Sequence, residues 1–95
     1  MAIIQKRNHN LVGRAEDATV DLINSIEAAK ASRAKDVRLQ AARELQRSAQ
    51  WRLDFVSSEN SMGFHAPQEA AMILGEAIDL AQKGQIEALK AQTAR

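Results

Sequence analysis

Residues 11–31, LVGRAEDATVDLINSIEAAKA, decide the fold. Leu11, Ala15, Ala18, Leu22, Ile26 and Ala29 recur at steps of three and four, which puts them on one face of an α-helix. Glu16, Asp17 and Asp21 read as a solvated face. No proline interrupts the pattern. Gly13 is its weak position, costing about 1 kcal/mol relative to alanine. The periodicity predicts a helix from about Ile3 to about Ala31.

Downstream, Ser32-Arg33-Ala34-Lys35 reads as a short connection, with Asp36 as the cap of a second helix from about Val37 to about Ser57. Ala42, Leu45, Ala49, Leu53 and Val56 mark its inner face. Trp51 and Phe55, four residues apart, stand one above the other and either widen that face or form a second one. Arg43, Glu44, Arg47 and Arg52 supply the solvated side. Ser58 to Ala66 reads as a loop. Pro67 fits the first position of a third helix, running to about Thr93, because its missing N–H costs nothing there. Gln68 and Glu69 suit the positive end of that helix. Ala71, Leu74, Ile78, Ala81 and Ala88 carry its stripe, with Ile73, Ile86 and Leu89 beside it, and Gly84 weakens its last third. No run of alternating β-branched residues suggests a strand. The short first link predicts an antiparallel hairpin, and the longer loop lets the third helix return along it. The expected fold is all-α: one domain, residues 1–95, of three long amphipathic helices, with self-association available to complete it.

Composition bounds what such a bundle does. The chain is 45% hydrophobic and 26% charged, which reads as a folded, soluble domain. Eighteen residues are alanine, against one Trp, two Phe and no Tyr, so the core is thin. Either stability is marginal or a helix face is buried against a partner. Net charge is +1, with both signs intermingled and no basic stripe, which gives nucleic-acid binding no support. The absence of cysteine excludes disulfides, thiolate metal sites and covalent haem attachment by these residues. No apolar run approaches the roughly 20 residues of a membrane span. The first residues lack the apolar core of a signal peptide, so the chain as written is expected in the cytoplasm.

Candidate chemistry is sparse. Ser57, Ser58 and Ser61 share a predicted loop with His65, but nothing places a serine beside a base in a strained turn, and turn hydrogen bonding is the plainer role. No catalytic residue is assigned. His9 has no ligand type three or four residues away and reads as a surface or interface histidine. His65 stands ahead of Pro67, where a capping or loop-packing role is the plainer local reading. A single imidazole suffices as a ligand when the metal is already held elsewhere, as with a haem bound by another segment.

Two segments carry a resemblance. Ala49-Gln50-Trp51-Arg52-Leu53-Asp54, and then Ser58 to Ala71 with its Gly63-Phe64-His65-Ala66-Pro67 centre, resemble the C-terminal helical part of pentahaem cytochrome c nitrite reductases. The resemblance extends from about Gln5 to about Ala91. These are periplasmic enzymes that reduce nitrite to ammonia. The resemblance implies that His65 is an axial ligand to the iron of a haem c attached elsewhere. It also implies that the first and third helices build a homodimer interface, and that the haem-bearing part of the parent enzyme is a second partner. The family's covalent haem motifs, catalytic residues and calcium site have no counterpart here, so this stretch alone is not expected to be active. An excised C-terminal fragment satisfies these observations. The alternative is a stand-alone, self-associating helical module with no redox role.

Overall fold

α1 (Ala2–Ala31), α2 (Asp36–Ser61) and α3 (Pro67–Thr93) make up the computed structural model of the chain. It describes residues 2–61 and 67–93, with side chains over 10–59 and 68–93. Within these residues the expected all-α architecture holds. No helix among them is long and apolar enough to cross a membrane.

The α1–α2 connection is built by backbone hydrogen bonds. The N–H of Ala34 donates to the carbonyl of Ala29 at 3.0 Å, and that of Arg33 to Lys30 at 3.0 Å. This is a Schellman ending, with Arg33 in the left-handed position at φ 67°. Ala34 then folds back onto Ala29, Leu39 and Ala91, the apolar contact that accompanies such endings. The N–H groups of Arg38 and Leu39 both donate to the carbonyl of Lys35. Lys35 is therefore the cap and Asp36 the first helical residue, one place earlier than expected. Its carboxylate still lies at the positive end of α2, 3.4 Å from the Arg43 guanidinium.

α2 continues to Ser61, four residues beyond the expected end. Ser58, Glu59, Asn60 and Ser61 are mediocre helix formers at worst, and no glycine or proline occurs before Gly63. With Leu53 and Val56 anchoring the preceding turns in the core, a few tenths of a kcal/mol per residue do not break the helix. α3 begins at Pro67 as expected.

Three contacts set the directions. Ala29, Leu39 and Ala91 cluster where α1 ends, α2 begins and α3 ends. Leu22 of α1 meets Gly84 of α3. Arg52 of α2 pairs with Glu76 of α3. So α1 and α3 run parallel, α2 runs antiparallel to both, and the bundle measures 51 × 19 × 16 Å between Cα atoms. α3 packs more extensively on each neighbour than they do on each other.

Small residues make that central position possible. Among the described residues, nine of the fifteen buried apolar side chains are alanine. On α3 the buried line is Leu74, Ala77, Ala81, Gly84, Ala88 and Ala91, alternating steps of three and four. This corrects the expected stripe: Ala71 and Ile78 are half-buried, while Ile86 and Leu89 are exposed. A helix wedged between two others turns its smallest residues inward so that the axes approach closely. Gly84 is the extreme case, since a Cβ there would stand 2.6 Å from Leu22 Cδ2. On α1 the expected stripe is the observed one, with Leu11 half-buried. On α2, Leu39 joins it as a fully buried residue and Leu45 is half-buried. Thr19, buried among these apolar groups, donates its hydroxyl to the Ala15 carbonyl at 2.8 Å. No buried side-chain polar atom among the described residues lacks a partner.

Candidate functional site

His65, the candidate ligand, lies outside the described residues, in the segment 62–66 between Ser61 and Pro67. His9 falls within α1, with its side chain outside the described set. Among the described residues no three His, Cys, Asp or Glu side chains converge on a metal-binding arrangement. Glu16, Asp17 and Asp21 are exposed, as expected of a solvated face. Ser57 and Ser58 are exposed residues of α2 rather than of a loop.

The helices leading to that segment carry a distinctive surface. Trp51 and Phe55 stack with ring centroids 5.5 Å apart and planes inclined by 22°. The i, i+4 spacing brings them together, and burial does not, because Trp51 is 62% exposed. They form the second face allowed by the sequence. Beside Trp51, Arg52 reaches across to α3: its Nε donates to Glu76 at 3.3 Å and its Nη1 to the Ser48 carbonyl at 3.1 Å. Arg52, expected on the solvated side, is instead half-buried in this bridge. Nothing local signals it, since the partner is 24 residues away. Gln50 and Asp54, one turn apart on α2, are joined at 3.1 Å.

Grooves run between the helices of the described residues. One, about 410 Å³, lies between α1 and α3, lined by Ser25 and Ala28 facing Gln82, Gln85, Ile86, Leu89 and Gln92. It contains no charged residue, although a quarter of the chain is charged. The second, about 270 Å³, lies between α1 and α2, where Glu16 and Asp54 contribute carboxylates beside Val20 and Leu53. The first groove is not anticipated from the sequence, although Gln82, Gln85, Leu89 and Gln92 recur at helical steps.

Comparison with known proteins gives this surface a context. The cytochrome c552 family model matches residues 1–95. A cytochrome c nitrite reductase subunit of Nitratidesulfovibrio vulgaris is 38% identical over 85 residues, which are 83% of this chain and 16% of that protein. A cytochrome c-552 of Bacteroides fragilis is 35% identical over 82 residues, 86% of this chain and 17% of its own length. One of Aliarcobacter butzleri is 46% identical over a shorter stretch, 46% of this chain and 9% of that protein. The chain thus spans about a sixth of the length of the first two relatives. No solved structure gives a significant match. A match that runs from the first residue to the last, on a helical, cysteine-free sequence, has one reading: the chain belongs to the cytochrome c552 family.

Proposed function

We propose that this chain is the C-terminal helical segment of a nitrite reductase that converts nitrite to ammonia. The observation that carries the reading is the family match over all 95 residues, at about a sixth of the relatives' length. A segment without cysteine attaches no haem of its own, so its part in such an enzyme is to bind and position. His65 supplies one axial ligand to a haem c attached to the rest of the enzyme, and that haem supplies electron transfer. The segment works in the periplasm, where the parent family acts.

The second part of the proposal is homodimerisation through α1 and α3. Its support is the uncharged groove with Ile86 and Leu89 exposed at 55% and 61%. A two-fold contact sets like residues near like, which penalises charges but lets glutamine amides both donate and accept.

His65→Ala in the haem-bearing enzyme tests the ligand role. Loss of the imidazole should alter the spectrum and potential of one low-spin haem and leave the oligomeric state unchanged. An unaltered spectrum removes the ligand role.

A further inference from the structure

Of the large apolar side chains exposed among the described residues, Trp51 and Met72 share one region, near the end of the bundle where residues 62–66 join α2 to α3. At the helical rise per residue, Phe55 and Trp51 lie about 9 and 15 Å from the Ser61 end of α2, and Met72 about 8 Å from the start of α3. Met72 is one turn from Glu76, whose carboxylate meets Arg52 beside Trp51. The Arg52–Glu76 bridge marks the α2–α3 seam at this level, with Met72 on its α3 side and the Trp51–Phe55 pair on the outer face of α2. Val37, Ile86 and Leu89 are about 28 Å or more from this end, and Val20 faces the separate groove between α1 and α2.

Resting on the reading that His65 ligates a haem, we infer that the Trp51–Phe55–Met72 surface is the seat of the haem-bearing part of the enzyme. An axial histidine bonds the iron directly, so the protein holding that haem must abut this end of the bundle. Each side of a specific interface contributes roughly 800 Å² of accessible surface. A contact of that size centred on this end takes in the adjoining flanks. A patch of about 800 Å² has a radius of about 16 Å, which takes in Phe55, Trp51 and Met72 and stops short of Ile86 and Leu89. An aromatic pair with a thioether beside it and an Arg–Glu bridge at its rim has the composition of an interface centre. The uncharged α1–α3 groove lies at the other end, so seating the haem-bearing part leaves it open to a second copy.

Hydroxyl-radical labelling read by mass spectrometry tests this, comparing the 95-residue chain alone with the haem-bearing enzyme that contains it. In the chain alone Trp51, at 62% exposure, and Met72, at 60%, should react freely. In the haem-bearing enzyme both should react about tenfold more slowly, as for side chains buried at an interface centre, while Val37 keeps its rate. Equal Trp51 rates in the two samples overturn the inference. So does protection that spreads equally to Val37, or protection that grows with concentration in the chain alone, since that makes a second copy the cover. The His65→Ala spectrum separates the two proposals. A changed spectrum with reactive Trp51 keeps the ligand and discards this seat, and an unchanged spectrum with protected Trp51 does the reverse.

Discussion

Three positions, Arg33, Gly75 and Gly84, show how finely this bundle is set. Arg33 occupies the left-handed position that glycine adopts without strain, and its side chain is exposed. Arg33→Gly should raise stability by about 1 kcal/mol, the cost of a Cβ in that conformation. A higher urea midpoint with an unchanged slope is the expected signature. Gly84 and Gly75 are both mid-helix glycines of α3, yet they should respond oppositely to alanine. At Gly75 nothing lies within 4 Å of the added methyl, so Gly75→Ala should stabilise by about 1 kcal/mol through helix propensity. At Gly84 the methyl meets two Leu22 carbons inside 3 Å, and overpacking of this kind costs about 1–3 kcal/mol. Gly84→Ala should lower the thermal midpoint, and a rise would show that Leu22 is free to move aside.

Between elements, the question is what binds α2 to α3. The Arg52–Glu76 pair is the prominent polar contact, but its side chains are 29% and 51% exposed. A double-mutant cycle on Arg52→Ala and Glu76→Ala should give a coupling of about 0.5 kcal/mol, fading in strong salt. A coupling above about 2 kcal/mol would mean that the pair is more shielded than its exposure indicates. Apolar contacts weigh more. Leu39 is fully buried against Ala29, Ala34 and Ala91, where small neighbours leave little to fill a void. Leu39→Ala should therefore cost about 2–5 kcal/mol and loosen the end where all three helices meet. Amide exchange localised to the ends of α1 and α3 and the start of α2 would show it.

For the molecule as a whole, the consequence of an alanine core is exposed apolar area elsewhere. Leucine and isoleucine on α3 that do not fit between two close helices stand outside, as Ile86 and Leu89 do. Replacing both with glutamine should leave helix content nearly unchanged, because neither is buried in the bundle. It should shift sedimentation toward monomer if the α1–α3 groove is the self-association face. Unchanged sedimentation of an associating chain would move that face elsewhere.

The number and kind of elements, and the α1 stripe, follow from the sequence because helical periodicity and the lack of interior proline are local properties. The Trp51–Phe55 pair follows too, since a spacing of four specifies neighbours on a helix. The His65 resemblance rests on a motif and likewise needs no tertiary contact. What the sequence left undecided involves choices between helices. Which face of α3 turns inward depends on how near α1 and α2 approach, and close approach favours Ala77, Gly84 and Ala91 over Ile78, Ile86 and Leu89. The last turn of α2 depends on core anchors that outweigh weak local preference, and Arg52 finds its partner only once α3 has returned. Local chemistry determined that three helices form, and the distance between their axes decided which residues were left outside.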